Sequence, residues 1–547
     1  MVEKKLSKRI EEIMKKLVSI KSDTSTLEEK DIEDYIYKWF ADLNYFKQNK
    51  NYFGKFDLKD DHLERSIVWA LVKGETNKTI IFLNHHDAVD IDVYGKLSNY
   101  ACDVETLKNK IINTDISKDT KSDLESDEWF FGRGSCDMKG GAAIQMALLE
   151  KYSKKKNFKG NLLFISVPDE ESLSAGMRNG VKLLNNLKEK FDLNYLILIN
   201  SEPHQREESN VGRIFTGSVG KIMPIVYVRG KKTHIGDIFK GLNPILLLST
   251  ICKKIELNPK FCDVVGDEIS PPPSWSFARD RKRSYDASIP QSAGGYFSIL
   301  TMNRTPKEIL EDLKNIIQES FVEIINDMNE KYKMFGKKVN KEMKKLPWES
   351  KVKSFSELYK KAVNDYGNEF IEKYDKTINK VKEDIKNDKI NLPESNFILI
   401  ETTLEFIDDL SPMVVIAFSP PYYPHVNNQN LKIKNKDIEN LSDKIINYAD
   451  KSLNKRYEKK NYFMGISDLS YTALDDEDDV IPYIGPNMPL WNKLYRVPFK
   501  EMKKLNIPSF IIGPWGKNLH KFAERVHKES LTKTTPVLIE FVINELF

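Results

Sequence analysis

The run GRGSCDMKGG, residues 132–141, places one acidic residue, Asp137, in a glycine-rich turn that precedes a predicted helix from Met138 to about Tyr152. Glycine lets a backbone pass close to a bound ion or ligand, and a carboxylate buried in such a turn needs a cation as its partner. On its own the run fits a loop-to-helix turn with a surface aspartate equally well. The chemistry of Asp137 therefore depends on the residues that accompany it.

Four further polar clusters share one feature: each follows an apolar, β-branched run that predicts a buried strand. The predicted strands are 79–84, 162–167, 195–200 and 509–512. The residues that come after them are His85, His86 and Asp87, then Asp169, Glu170 and Glu171, then Glu202, and lastly His520. Because ligands bind beyond the carboxyl ends of the strands in open α/β sheets, we expect the clusters to converge at one edge. Histidines and carboxylates gathered there predict a metal site.

The composition limits the classes of function. The chain has 547 residues, too many for one compact core, so two or more domains are expected. Its net charge is only +4, from 85 basic and 81 acidic residues, which argues against a dedicated nucleic-acid or membrane-surface binder. The four cysteines form no close pair, and the sequence shows no export signal or long apolar span. These features favour a reducing cytoplasm.

The pattern of elements predicts a split α/β domain with a smaller domain inserted into it. Helices and apolar strands alternate over residues 1–214, which predicts a mainly parallel sheet. Residues 215–427 show the strand–helix–strand–helix order of a small α+β domain, and residues 428–547 return to the first pattern. Within the inserted domain, 331–391 is dense in charges with sparse hydrophobic residues at helical spacing. We interpret it as a helical insertion with a solvated face, and a binding role is the less favoured alternative.

Taken together, the ordered motifs resemble the dinuclear-zinc metallopeptidases and amidohydrolases. This family includes aminoacylase, acetylornithine deacetylase, succinyl-diaminopimelate desuccinylase and carboxypeptidase G. The long insertion and the runs SPPYYPH and MGISDLS are more specifically similar to RocB-type arginine utilisation proteins. The resemblance implies a zinc-peptidase-like catalytic domain with a mainly parallel sheet and an inserted α+β lid or dimerisation domain.

The resemblance also implies a set of metal ligands, namely His85, Asp137, Glu171, Glu202 and His520. Asp137 would bridge two divalent ions, with one histidine and one glutamate completing each site. Three carboxylates and a bridging hydroxide would then balance the four positive charges of the ions. A four-coordinate set of nitrogen and oxygen ligands suits zinc, with cobalt or manganese as the alternatives.

Glu170 and Asp87, near the predicted metals, have roles implied by the family. Glu170 matches the general base, which takes a proton from water and delivers it to the leaving amine. Asp87 lies two residues from His85, on the same face of an extended strand, and would orient its ring. His86 points the other way and is interpreted as a packing or surface residue. Glu524 either orients the site or lies at the surface.

The inserted domain carries two further candidates. The run KKTHIG contains His234, which resembles the family's lid histidine and would stabilise the oxyanion. In the family this histidine often comes from a partner subunit, so a homodimer through the lid domain is implied. Arg304 matches a position that commonly binds a substrate carboxylate, a task that suits a planar guanidinium. Either residue alone is also compatible with an ordinary surface role.

The resulting hypothesis is metal-dependent hydrolysis of the amide bond in an N-acyl amino acid or small peptide. Its link to arginine or other amino-acid breakdown rests on the resemblance to RocB-type proteins alone. The alternatives are a dipeptidase or carboxypeptidase, and a non-catalytic regulatory relative that binds metal. The presence of Glu170 beside a full ligand set argues against the regulator. The expected partner is a small-molecule or short-peptide substrate, with no nucleic acid or membrane.

Overall fold

The computed structural model describes residues 2–59, 61–206, 211–474 and 476–547. The chain forms two compact units. Unit 1 comprises Met1–Val219, Val426–Asp475 and Pro498–Phe547, and unit 2 comprises Gly220–His425 and Asp476–Val497. The sequence had placed residues 476–497 with the split α/β domain, whereas the structure groups them with unit 2. The reason is packing, since Leu490 is buried in the apolar core of unit 2.

The strands of the described residues form five sheets. In chain order they are β1 Phe53–Asp57, β2 Ser66–Val72, β3 Lys78–His85, β4 Trp129–Phe131, β5 Asn161–Val167, β6 Asn194–Asn200, β7 Val211–Phe215, β8 Gly217–Ser218, β9 Gly220–Arg229, β10 Val264–Val265, β11 Glu268–Ile269, β12 Ser274–Asp280, β13 Ser292–Thr301, β14 Val352–Ser354, β15 Met413–Tyr423, β16 Val426–Asn427, β17 Arg456–Lys460, β18 Ser509–Ile511, β19 Gly516–Lys517 and β20 Arg525–His527.

The α-helices of the described residues are α1 Val2–Val18, α2 Glu29–Asp42, α3 Asn44–Gln48, α4 Val104–Ile111, α5 Lys118–Glu125, α6 Lys139–Ser153, α7 Ala175–Phe191, α8 Pro244–Ile255, α9 Pro306–Lys337, α10 Phe355–Tyr366, α11 Asn368–Lys386, α12 Leu392–Leu404, α13 Lys436–Glu439, α14 Leu441–Leu453, α15 Glu477–Ile484, α16 Phe499–Leu505 and α17 Thr535–Leu546. Short 3-10 helices and one π-helical turn, Ser530–Thr534, complete the described elements. Among the described helices, none combines the length and the apolar character needed to cross a membrane.

Unit 1 is built on an eight-stranded sheet in the order β1-β2-β5-β3-β6-β18-β7-β17. The four central strands, β5, β3, β6 and β18, run parallel to one another. Strands β2 and β5 are buried along their whole length, which explains their continuous apolar runs. The core of this unit lies between the sheet and helices α1, α2, α6, α14 and α17. This arrangement brings the carboxyl ends of three apolar strands, β5, β3 and β6, side by side.

Unit 2 is built on a five-stranded sheet in the order β12-β13-β9-β15-β14. Alternate residues of β9 and β15, such as Ile225 and Val415, face a core formed with α10, α11 and α12. The predicted insertion, 331–391, is mostly helical as expected. It also contributes β14, which extends the sheet by pairing in parallel with β15. The long helix α9 begins at a capping box formed by Thr305 and Glu308, with Pro306 in its first turn.

Candidate metal centre

The polar clusters that follow the parallel strands converge in unit 1. His85 is the last residue of β3, while Glu170 and Glu171 follow β5 and Glu202 follows β6. His520 does not lie directly after β18; it comes from the turn between β19 and β20. Two groups of ligand atoms result, each with its atoms within 4.8 Å of one another. They are His85 with Asp137 and Glu202, and His520 with Asp137 and Glu171.

Asp137 belongs to both groups because its two carboxylate oxygens point in different directions. Oδ1 lies 3.3 Å from His85 Nε2, and Oδ2 lies 3.1 Å from His520 Nε2. His520 Nε2 is also 3.1 Å from Glu171 Oε2, and His85 Nε2 is 3.7 Å from Glu202 Oε1. The geometry therefore offers one shared carboxylate between two histidine–glutamate pairs.

Gly141 and the buried amide of Gln145 set how closely α6, the helix that follows Asp137, packs against the strand ends. A Cβ on Gly141 would lie 2.2 Å from the backbone oxygen of Ser201, so α6 can approach the end of β6 only with glycine there. From the next turn of α6, Gln145 Nε2 donates to the backbone oxygens of Leu83 and Ile199 at 2.9 and 3.2 Å. Gln145 thus ties α6 to β3 and β6, a role that the sequence analysis missed.

Asp87 holds both the His85 ring and the loop that carries the two glutamates. His85 Nδ1 donates to the backbone oxygen of Asp87 at 3.0 Å, which turns Nε2 of the ring towards Asp137. The carboxylate oxygens of Asp87 accept the backbone N–H groups of Glu170 and Glu171, both at 3.1 Å. His86 is buried and points away, with its Nδ1 3.0 Å from Ser166 Oγ, so it is a packing residue.

Glu524 acts on the Asp137 turn, but not through the helical spacing that the sequence suggested. Residues 520–524 form turns, not a helix. Glu524 is fully buried, and its Oε1 accepts the backbone N–H groups of Cys136 and Asp137 at 3.2 Å each. Its Oε2 pairs with Arg133 Nη1 at 2.6 Å. Of the two alternatives left open for Glu524, the structure supports orientation of the site.

The electrostatics of the cluster call for cations. Burial, followed by the charge of Asp137, raises the pKa of Glu171 to about 7 and raises that of Glu202 well above its ordinary value. Burial also opposes ionisation of Asp137, but its hydrogen bonds with His520 and His85 hold its pKa below the usual range. Glu171 Oε1 is buried without a hydrogen-bond partner among the described residues. When His85 Nε2 is unprotonated, its lone pair and those of the two carboxylates point at one another. Divalent cations bound between them would relieve this repulsion.

The MGISDLS run supplies a further buried carboxylate beside the cluster. Asn200 Nδ2 donates to Ser467 Oγ at 2.9 Å, which brings the neighbouring Asp468 close to the end of β6. Burial raises the pKa of Asp468 to about 7, and its charge contributes to the raised pKa of Glu170. In the sequence this run is a mark of family resemblance, and no local pattern in it signals that Asp468 lies near the site.

The two remaining candidates lie in unit 2. His234 is exposed, and its Nδ1 accepts the backbone N–H of Gly236 at 3.1 Å. The segment around it pairs with Ser288 through an isolated β-bridge. Arg304 forms ion pairs with Asp312 and, at 3.7 Å, with Asp263. To bind a substrate carboxylate it would have to exchange one of these partners, so its substrate role stays a prediction that these contacts do not support.

The sequence model of peptidase family M20/M25/M40 matches residues 112–487, more than half of the chain. The chain belongs to peptidase family M20/M25/M40. As a member of this family it is a hydrolase that acts on a C–N bond, and the resemblance inferred from its motifs is confirmed.

Individual relatives agree with the assignment to the M20 family. Protein RocB of Bacillus subtilis strain 168 is 30% identical over 539 residues, which cover 98% of this chain and 94% of that protein. Succinyl-diaminopimelate desuccinylase of Wigglesworthia glossinidia brevipalpis is 31% identical over 181 residues, 32% of this chain and 41% of that protein. The similarity to RocB extends over the predicted insertion and the MGISDLS run.

Solved M20 structures share the fold. The metallo-carboxypeptidase Sso-CP2 of Sulfolobus solfataricus superposes with a TM-score of 0.54 at 11% identity, covering 97% of this chain and 98% of that one. The Bacillus subtilis YXEP protein, described as a dinuclear metal binding peptidase, gives a TM-score of 0.50 at 13% identity, covering 99% of both chains. The predicted α/β fold with an additional α+β domain is confirmed.

The M20 site should bind metal more strongly as the pH rises. In the metal-free chain the pKa of Glu171 is raised to about 7, and hydrogen bonds to Asp137 and Glu171 raise that of His520 to about 11. Both groups hold protons more tightly in the folded state. Their stabilising contributions are therefore complete at low pH, and they are lost as the pH rises through 7 and towards 11. Both protons must leave before the groups can bind an ion.

We therefore expect added zinc to raise the Tm more at pH 8 than at pH 5.5, with proton release on binding. Thermal unfolding at the two pH values and titration calorimetry in buffers of different ionisation enthalpy would measure these effects. Equal Tm shifts at both pH values, without proton release, would contradict this account of the site.

Proposed function

We propose that this M20 peptidase uses two divalent metal ions, with zinc preferred, to hydrolyse the amide bond of an N-acyl amino acid or small peptide. The observation that carries the proposal is the direction of the two Asp137 oxygens, 3.3 Å from His85 and 3.1 Å from His520. One carboxylate shared between two histidine–glutamate pairs is what a two-ion site needs. Cobalt and manganese are the alternative metals for the same donors.

In this proposal Asp137 is shared, His85 and Glu202 bind one ion, and His520 and Glu171 bind the other. The three carboxylates offset three of the four positive charges, which lowers the cost of burying the ions. Two such ions, when bound, acidify a water molecule and polarise the scissile carbonyl. His520 is the most exposed of the five, with 48% of its side chain accessible, so that side of the site is open to solvent within unit 1.

Glu170 is the proposed general base. Its Oε2 lies 3.9 Å from His85 Nε2, yet Glu170 belongs to neither group of ligand atoms and remains available for proton transfer. Burial raises its pKa well above the ordinary value, which strengthens it as a proton acceptor. It takes a proton from the attacking water and delivers it to the leaving amine. Asp87 supports this step by holding the backbone N–H of Glu170.

His234 is the proposed donor to the oxyanion. Because its Nδ1 accepts the Gly236 N–H, the ring proton lies on Nε2, which is then free to donate to a developing negative charge. By analogy with the family, His234 acts across a homodimer formed through unit 2. Arg304 is the predicted ligand for a substrate carboxylate.

The substrate class can be tested with matched compounds. We propose an N-acyl amino acid first, with a link to arginine breakdown that rests on the similarity to RocB. N-acetyl- and N-succinyl-arginine, the corresponding leucine derivatives, and the free dipeptides Ala-Arg and Ala-Leu form a set that varies the acyl group and the side chain separately. Release of the free amine by the zinc-loaded chain is the measurement.

Each outcome of this screen has a distinct meaning. Cleavage of the acylated compounds alone supports a deacylase, and a preference for arginine over leucine supports the link to arginine. Cleavage of the dipeptides alone supports the alternative of a dipeptidase or carboxypeptidase. Absence of turnover on every compound by a zinc-loaded chain would count against the proposed substrate class.

A further inference from the structure

Arg65 lies buried in unit 1 at the centre of an ion network that the proposed reaction does not use. Only 5% of its side chain is exposed. Its Nη1 donates to Glu29 Oε1 at 2.8 Å and to Asp169 Oδ1 at 2.7 Å. Its Nε and Nη2 donate to the two carboxylate oxygens of Asp61 at 3.0 and 2.8 Å. One guanidinium therefore joins three carboxylates from different parts of the chain.

The network ends on the residue that immediately precedes Glu170. Asp169 has a φ of 68°, in the left-handed region that is uncommon for residues other than glycine, asparagine and aspartate. Its backbone N–H donates to Glu29 Oε2 at 2.9 Å, and its backbone oxygen accepts the N–H of Ser174 at 2.7 Å. Its Oδ2 accepts the N–H of Ala175 at 3.0 Å. Every polar group of Asp169 is therefore engaged.

The loop from 168 to 174 is thus held at two points. Asp87 accepts the backbone N–H groups of Glu170 and Glu171, as described above. Arg65 holds the preceding residue, Asp169, against Glu29. Glu29 and Asp169 are both buried carboxylates, and Arg65 is the cation that offsets their repulsion. Without the guanidinium, the two carboxylates would separate or protonate, and the loop would lose this second anchor.

We propose that Arg65 is a positioning residue that sets the place of Glu170 and Glu171 through Asp169. The catalytic part of this inference rests on the proposed function, because it assumes that Glu170 transfers the proton. The metal-binding part rests only on Glu171 as a proposed metal ligand, because displacement of Glu171 would weaken metal binding whether or not a substrate is known. The two parts can therefore be measured separately.

The Arg65→Ala variant is expected to lose about 10²-fold in kcat with KM nearly unchanged, since a small displacement of a catalytic group has an effect of that size. Its affinity for zinc should fall by about 10- to 100-fold, the range for residues that support metal ligands. Guanidinium or methylguanidinium ions at millimolar concentration should restore part of kcat by filling the space of the deleted group. Arg65→Lys keeps the positive charge but lacks the planar guanidinium, so its kcat and zinc affinity should lie between those of the wild type and Arg65→Ala.

Arg9→Ala provides a matched control. Arg9 also belongs to unit 1 and pairs with Glu150 at 2.9 Å, but 40% of its side chain is exposed and it contacts no residue of the site. This variant should keep wild-type kcat, KM and zinc affinity. Thermal unfolding of every variant shows whether it is folded, and if Arg65→Ala is not, Arg65→Lys and Asp61→Asn take its place in the comparison.

Two results would overturn the proposal. The first is a folded Arg65 variant with wild-type kcat and zinc affinity. The second is a fall in kcat and Tm together with a rise in KM that guanidinium does not rescue. This result would indicate a general structural role. If the wild-type chain hydrolyses none of the compounds, the proposed function fails, and the zinc affinities of Arg65→Ala and Arg9→Ala still decide the metal-binding part.

Discussion

Replacement of Glu170 with glutamine is expected to lower kcat by about 10²- to 10⁴-fold, the usual contribution of a general acid–base group. Glutamine keeps the shape of the side chain but cannot accept and return a proton. Glu170 belongs to neither group of ligand atoms, so the variant should still bind two ions per chain. Initial rates with the best compound of the screen, together with elemental analysis of the same preparation, would measure both quantities.

Glu189→Gln is the control for this experiment. Glu189 lies on α7, the helix that follows the Glu170 loop, and it is exposed to solvent. The Glu189→Gln variant should have the kcat and the metal content of the wild type. A Glu170→Gln variant that keeps both metal ions and full turnover would rule out Glu170 as the general base. A wild-type chain that binds metal but turns over nothing would favour the regulatory alternative.

Replacement of Asp137 with alanine is expected to remove most of the bound metal and to lower kcat/KM by about 10³-fold or more. Among the described residues, Asp137 alone contacts both histidines of the cluster. Without it each proposed ion keeps only one histidine and one glutamate, and loss of the ions removes several kcal/mol of stabilisation from the developing charge. Elemental analysis after equilibration with zinc should show about two ions per wild-type chain and fewer than one in the variant.

Asp92→Asn is the matched control, because Asp92 is an exposed aspartate of the same unit. It should retain the metal content and rate of the wild type. Asp137→Asn separates charge from size, because asparagine fills the same space without the negative charge. If Asp137→Ala still binds two ions, the shared-carboxylate model is wrong. If the wild-type chain binds only one, the two-ion mechanism is wrong as well.

The sequence was most informative where buried strands end. The predicted strands 162–167 and 195–200 each begin one residue later than the observed β5 and β6 and end at the same residue. Both strands are mostly buried and mostly apolar, and a cluster of polar and charged residues follows each within two residues of its end. Parallel neighbours then place those ends together. For this reason His85, Glu171 and Glu202 could be expected at one edge of the sheet, whereas the complete ligand set, with Asp137 and His520, was implied by the family resemblance.

The sequence was least informative for residues that act through distant partners. Arg65 meets Asp169, which lies 104 positions away, and Gln145 meets the ends of two strands from inside a helix. A single arginine or glutamine in a sequence gives no sign of such contacts. Glu524 was noticed only for its distance from His520 in a helix that the structure does not contain.

The sequence by itself determined the family, the alternation of helices and strands in an α/β domain with an additional domain, and the residues that follow several buried strands, because local hydrophobic patterns and short motifs encode them. Tertiary structure decided which carboxylate oxygen faces which histidine, and that residues 476–497 pack with unit 2. It also decided that the buried Arg65 contacts Asp169, in the loop that carries Glu170 and Glu171. These features depend on contacts between residues far apart in the chain, and such contacts exist only once the sheet and its helices have packed together.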